Sequence, residues 1–351
     1  MPNLFDYLKT VTNESIYDSP FTELDILALT EITYLNFDNL ELKNSRILPE
    51  KRLLEIAPKI PRDITIQSSK ERLLLLDELA SSTRFKNIKL MGYTNEVDFE
   101  SEKQFAAMTY RLSLDTYLVV FRGTDASIIG WKEDFHMTYM NHIPAQKSAT
   151  RYLNQIMATY PNAHFLVAGH SKGGNLATYA ATFIDEELQE RVESIYCFDA
   201  PGLHKNLIKT PSYQQTSKKI LSYIPKNSIV GMMLETPEPA QIVASNAFNG
   251  LSQHNTFSWQ VEKNHFETVD AISKDSQQTD ATLKKWVAQV PDEELKDFFD
   301  SFFGLILDTG MESLDELKNP ETITKVLEVF RNAHDLSPEK KTYSIAYLNN
   351  Y

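Results

Sequence analysis

The run from residue 165 to residue 181 constrains the fold more than any other part of the chain. Phe165-Leu166-Val167-Ala168 suits a buried strand, Gly169-His170-Ser171-Lys172-Gly173-Gly174 follows at once, and Leu176-Ala177-Thr178-Tyr179-Ala180-Ala181 suits a helix. So short a passage from strand to helix brings backbone segments together where side chains would collide, and glycine at 169, 173 and 174 removes those side chains. The turn matches the G-x-S-x-G nucleophile elbow, which lifts a serine hydroxyl above the carboxyl edge of a sheet. The helix that begins there aims backbone N–H groups at a developing oxyanion. Ser171 is therefore the candidate nucleophile.

The flanking sequence extends the pattern. Strand-like runs occur at 88–93, 104–112 and 117–121, the last two separated by a short polar turn that predicts a hairpin. A helix is expected near 145–160, then a strand at 164–168, a helix from 175 to about 183, a strand at 192–198 and another at 241–244. This alternation predicts an α/β architecture with a mostly parallel sheet covered on both faces. Residues 1–85 read as a helical N-terminal extension: Thr22 and Asp25 have the spacing of a capping box before Ile26, Leu27 and Leu29, and Pro58 and Pro61 interrupt the pattern. Residues 86–270 form the expected core, and 271–351 a helical C-terminal region. There Leu283, Trp286, Val287 and Val290 share a face, as do Leu295, Phe298, Phe299 and Phe302, and, beyond Asn319-Pro320, Ile323, Val326, Leu327 and Phe330. The aromatic stripe reads as core packing, not as a ligand site.

Charge and cysteine usage narrow the partners. Lys and Arg number 35 against 48 Asp and Glu, a net charge of −13 that opposes binding to nucleic acid or to anionic membrane surfaces. The lone cysteine, Cys197, suits a reducing compartment. With no secretory-signal pattern at Met1–Asp6 and no apolar run near the roughly 20 residues of a membrane helix, the expectation is a cytoplasmic protein without a transmembrane segment. Metal-ligand spacing, a P-loop and a dinucleotide fingerprint are all lacking, so no cofactor is implied.

Two blocks carry a resemblance to a known family. Gly-His-Ser-Lys-Gly-Gly at 169–174 resembles the nucleophile motif of the class 3 (fungal-type) lipases, where an apolar residue is usual at the position of Lys172. Upstream, Val119-Val120-Phe121-Arg122-Gly123-Thr124-Asp125 and Gly130-Trp131-Lys132-Glu133-Asp134-Phe135 resemble that family's strand-plus-oxyanion segment. The chain is still more similar to a group of lipase-like bacterial proteins of unassigned function that carry this lysine. The resemblance spans about residues 85–265 and implies an α/β-hydrolase fold acting on an acyl ester or lipid-like substrate. It also implies an oxyanion hole built from Thr124 and the backbone of Lys172, and a lid-forming region at Ile128, Ile129 and Trp131. Arg122 is expected in a buried ion pair, with Asp134 as its partner. The Lys172 ammonium either attracts an anionic head group or lies on a solvated surface.

A serine nucleophile requires a base, and the base a carboxylate, in the chain order Ser, acid, His. His254, in a loop-like segment after the expected strand at 241–244, is the preferred base, with His265 the runner-up. His170 inside the elbow reads as a packed structural histidine. By the resemblance the acid falls at Ser228, which cannot hold a charge; Asp199, at the end of the strand after the nucleophile helix, is the candidate in its place. Ester hydrolysis through an acyl-serine is the leading reading. A catalytically inactive binding or scaffold protein, and an acyltransferase or thioesterase using the same triad, are the alternatives.

Overall fold

The computed structural model describes residues 1–308 except 17, 39, 41, 43–48, 63–67 and 126. The expected helix face at 323–330 lies outside the described residues, as do the side chains of Leu283 and Trp286.

An eight-stranded sheet runs in sequential order β1 (Lys51–Arg52), β2 (Lys89–Asp98), β3 (Lys103–Arg111), β4 (Thr116–Phe121), β5 (His164–His170), β6 (Val192–Phe198), β7 (Ile220–Pro225) and β8 (Ala240–Val243). The first four strands pair antiparallel, with β3 and β4 forming the expected hairpin, and β4 through β8 are parallel. Antiparallel neighbours need only tight turns, whereas each parallel pair needs a crossover. Helices α6 (Pro144–Thr159) and α7 (Lys172–Phe183) supply two of those crossovers. The period-two alternation of β4 divides the core: Tyr117, Val119 and Phe121 face α6 and α7, while Leu118 and Val120 face the N-terminal helices.

That second face is covered by α1 (Leu4–Val11), α2 (Glu23–Ile32), α3 (Leu53–Ile56) and α4 (Ser69–Ser81), together with the segment carrying Phe257, Trp259 and Phe266. Helix α2 begins at the expected capping box: Thr22 N–H donates to Asp25 Oδ2 at 2.9 Å and the Thr22 side chain accepts from Leu24 N–H. Almost every residue of α2 is buried, charged ones included. Asp25 therefore pairs with Arg84 at 2.7 Å, both side chains fully buried, and also accepts from Tyr7 Oη.

Between β4 and α6 lies a helix that the sequence pattern did not reveal, α5 (Ile128–His136). Ile128 and Ile129 are buried in it, so the segment expected as a lid packs here as a helix. After α8 (Glu186–Gln189), α9 (Pro211–Thr216), α10 (Gly250–Gln253) and the β9–β10 ribbon (Val261–Glu262, His265–Phe266), the chain ends its described part in α11 (Lys274–Gln289) and α12 (Asp292–Asp308). Leu295, Phe298, Phe299 and Phe302 are buried, as the periodicity predicts. Helix α12 lies on α5, with the rings of Phe135 and Phe299 4.6 Å apart. Lys132 bridges Glu102 at 2.6 Å and Asp300 at 2.8 Å, so its ammonium sits where Glu102, His136 and Asp300 converge. Among the described residues no helix is long and apolar enough to cross a membrane.

Candidate active site

Strand β5 ends at His170, α7 starts at Lys172, and Ser171 between them adopts φ 57° and ψ −134°. Such backbone costs a non-glycine residue about 1–3 kcal/mol and persists only where its surroundings enforce it. Here Ser171 N–H donates to Phe198 O and Gly174 N–H to Ser171 O, each at 3.0 Å. A β-carbon on Gly169 would fall on the backbone of Gly173, and one on Gly173 would meet the carbonyl of Phe121. The half-buried serine thus stands on a turn that only those glycines permit. The Lys172 amide, at the first position of α7, has no intrahelical acceptor.

Asp199 follows β6 and is also held at positive φ, 42°. It is fully buried, and its N–H donates to Tyr223 O at 2.8 Å. Oδ1 of Asp199 accepts from Ser228 Oγ at 2.5 Å and Gly231 N–H at 3.0 Å, which leaves Oδ2 to meet His254 Nδ1 at 2.6 Å. A carboxylate at that distance accepts, so the imidazole hydrogen is assigned to Nδ1 and the lone pair to Nε2. Ser228, at the position where the resemblance places the acid, instead donates to an acid on the neighbouring strand, about 5 Å away in a sheet.

His254 follows α10, and the preceding residue anchors it. Gln253 accepts Asn227 N–H at 2.8 Å and Trp259 Nε1–H at 2.7 Å, and its own Nε2 donates to Ala247 O at 2.9 Å. His170 then ties this turn to the serine. Burial, followed by the nearby His254, holds the pKa of His170 well below its ordinary value, so its ring is neutral. Its Nε2–H donates to the His254 carbonyl at 3.0 Å, while Nδ1 lies 3.0 Å from the Tyr34 hydroxyl, which donates to it. The two imidazole rings are 4.5 Å apart. His170 is therefore packed and hydrogen-bonded on both ring nitrogens, and it also ties the His254 turn to the residue before Ser171.

Glu31 on α2 extends the brace, accepting from Thr256 Oγ1 at 2.7 Å and from Arg72 Nε at 2.9 Å. Arg72 in turn lies 4.0 Å above the Tyr34 ring. Neither Glu31 nor Tyr34 was singled out in the sequence. The available signal was an acidic residue within a run otherwise apolar, because a buried carboxylate requires partners.

Thr124 lies on the loop after β4. A β-carbon on Gly123 would come 3.1 Å from Ser171 Cβ, which places this loop against the nucleophile turn. Thr124 Oγ1 donates to Asp134 Oδ2 at 2.6 Å. Burial pushes the Asp134 carboxyl up to about 6; the Lys172 ammonium works against that rise and Glu133 adds to it.

Two expectations are corrected, and the runner-up base is placed elsewhere. The Lys172 side chain neither lies on a solvated surface nor is placed to attract a head group: it is 1% exposed, and Nζ donates to Glu133 Oε2 at 3.0 Å and to both oxygens of Gln104 at 3.2 Å. Burial alone would depress its pKa, yet Glu133 and Asp134 more than offset this and raise it. Arg122 pairs with Asp125 at 3.5 Å and donates to Asn95 at 3.2 Å, because Asp134 is taken by Thr124 and Lys172. His265 is exposed and pairs with Glu23 at 3.0 Å, away from Asp199.

Sheet order, the strand-to-helix turn at Ser171 and the placement of the following segments define an α/β-hydrolase fold. Residues 79–304 match the Mbeg1-like family, and the chain belongs to that family. No curated protein matches it in sequence. Among solved structures it is similar to M37 lipase, with 14% identity, TM-score 0.41, and coverage of 61% of this chain and 70% of that one. It is also similar to the mono- and diacylglycerol lipase from Aspergillus oryzae, with 14% identity, TM-score 0.42, and coverage of 73% and 88%. A third similar structure, a mutant form of MDLA from Penicillium cyclopium, has 14% identity, TM-score 0.42, and coverage of 70% and 83%.

Proposed function

We propose that the protein is a serine hydrolase that cleaves a carboxylic ester through an acyl-serine intermediate. His254 Nε2 takes the proton of Ser171 as the hydroxyl attacks the acyl carbon. Asp199 holds the imidazole tautomer and steadies its positive charge, and the N–H groups of Thr124 and Lys172 receive the oxyanion. The imidazolium then protonates the departing alcohol, and water releases the acid by the same route in reverse. The observation that carries this reading is the buried Asp199 carboxylate bonded to a histidine whose own carbonyl is tied to the residue before Ser171.

A serine at 228 in place of an acid and a charged residue at 172 are both compatible with catalysis. Ser228 supports the charge on Asp199 by donating to it, and Lys172 is neutralised by buried carboxylates. The substrate is a small acyl ester or lipid-like molecule. A fluorophosphonate probe is expected to add its mass to the peptide carrying Ser171, with turnover of short p-nitrophenyl esters by the same preparation. A folded sample that shows neither counts against the reading.

The His170 link yields a milder expectation. Tyr34→Phe removes the hydroxyl that fixes the His170 ring, and so loosens the ring whose Nε2–H anchors the His254 carbonyl. Loss of orientation at the base should lower kcat by roughly tenfold with little change in KM. Steady-state kinetics on the p-nitrophenyl ester would check this, and an unaltered kcat would show that the link is dispensable.

A further inference from the structure

We infer that the Lys172 side chain is a positioning residue that locks the two oxyanion-hole donors to each other; the inference rests on the hydrolase reading above. The backbone of Lys172 offers one donor at the start of α7. Its side chain turns into the protein and reaches α5, where Nζ lies 3.0 Å from Glu133 Oε2 and 3.4 Å from Asp134 Oδ1. The other oxygen of Asp134 accepts from Thr124 Oγ1 at 2.6 Å, and Thr124 is the second donor. A closed path therefore runs from the helix that carries Ser171, through a buried ammonium and a carboxylate, to the loop facing it.

The anchorage is firm on every side. Gln104 of β3 gives Nζ two further oxygens at 3.2 Å. Glu133 accepts the backbone N–H groups of Gln104 at 3.0 Å and Ala145 at 2.9 Å. Gly130 leaves space for α5 to approach, since a β-carbon there would come 2.6 Å from Gln104 Oε1 and 2.7 Å from Thr124 Cγ2. The charged groups that act on Asp134 are Lys172 from α7 and Glu133 from its own helix, while Asp125, paired with Arg122 on the loop after β4, acts on Lys172. Lys172 is thus the cation that faces Asp134 directly. An apolar side chain at 172 would keep the backbone N–H but give Asp134 no cation to balance its charge.

The pH dependence follows with a definite sign. The carboxylate form of Asp134 is the stronger acceptor for Thr124 Oγ1–H. The lock weakens as pH falls through about 6, where burial has moved this carboxyl. Removing the ammonium raises that value further, so the part of the acid limb that Asp134 contributes, beside protonation of the base, moves to higher pH.

The test compares pH–rate profiles of wild type, Lys172→Met, Lys172→Arg, Asp134→Asn and the Lys172→Met/Asp134→Asn double variant on one neutral p-nitrophenyl ester. Lys172→Met is expected to lose kcat by roughly tenfold to a hundredfold at near-constant KM, with its acid limb shifted upward. Lys172→Arg should recover part of the loss, and the limb shift should vanish in the Asp134→Asn background. A folded Lys172→Met enzyme with wild-type kcat and profile overturns the inference, as does a shift that persists without Asp134. Should Lys172→Met fail to fold because Glu133 is left unpaired, Lys172→Met/Glu133→Gln takes its place. If that variant also fails, Asp134→Asn decides: about a tenfold fall in kcat supports the lock and an unchanged kcat overturns it. A wild type that takes no phosphonate and turns over no ester removes the hydrolase reading and this inference together, whereas labelled, active wild type beside unaffected variants removes the inference alone.

Discussion

Asp199→Asn is expected to reduce kcat by about 10⁴-fold while the protein remains folded and KM changes little. The carboxylate is the group that sets the His254 tautomer, through the 2.6 Å contact from Oδ2 to Nδ1. An amide in its place can present N–H to the ring, which favours the opposite tautomer and leaves Nε2 protonated and unable to take the serine proton. Ser228→Ala serves as the comparison. It removes one of two donors to Oδ1, since Gly231 N–H remains at 3.0 Å, and should cost roughly tenfold. Steady-state kinetics of the two variants, with circular dichroism to verify folding, would measure both effects. Equal losses would mean that the acid has been misassigned, and full activity in Asp199→Asn would exclude it from the mechanism.

The second large effect is on stability. Arg84→Leu is expected to destabilise the fold by about 3–5 kcal/mol, because it leaves the Asp25 carboxylate buried without its cation. Both side chains are fully buried, and Arg84 also donates to the carbonyls of Ser19 and Pro20, each at 2.9 Å. An apolar substitution of Asp25 made together with Arg84→Leu should cost much less than Arg84→Leu alone, since the unpaired charge is then gone as well. Urea unfolding of the single and double variants would give both values, and a loss below about 1 kcal/mol for Arg84→Leu would mean that Asp25 finds other compensation. Helix α2 links this pair to the site, because Asp25 and Glu31 lie on the same helix and Glu31 holds the Thr256 hydroxyl at 2.7 Å. Partial loss of that helix should therefore also lower activity before global unfolding.

Local chemistry wrote some of this into the chain. Glycines at 169, 173 and 174 leave one geometry for the passage from β5 to α7, so Ser171 and the order of strand and helix around it were legible from spacing alone. The capping box at Thr22, the strand at 117–121 and the buried stripe Leu295, Phe298, Phe299 and Phe302 were legible for the same reason, since each depends on neighbours a few residues apart. His254 and Asp199 were reachable as candidates through chain order. Helix α5 was not, because the side it buries carries Lys132, Glu133 and His136 beside Ile129, and its burial is supplied by β3 and α12.

What tertiary structure alone decided is which charge meets which. Nothing local distinguishes a lysine that faces water from one aimed at Glu133, 39 positions away in the chain, or shows that Arg122 pairs with Asp125 while Asp134 turns to Thr124. Nor does the sequence reveal that Ser228 donates to a carboxylate on the next strand, or that Tyr34 reaches His170 across 136 residues. Backbone preference and periodicity act over a turn or two of chain, whereas desolvation forces each buried charge to find a partner wherever the fold brings one within about 3 Å.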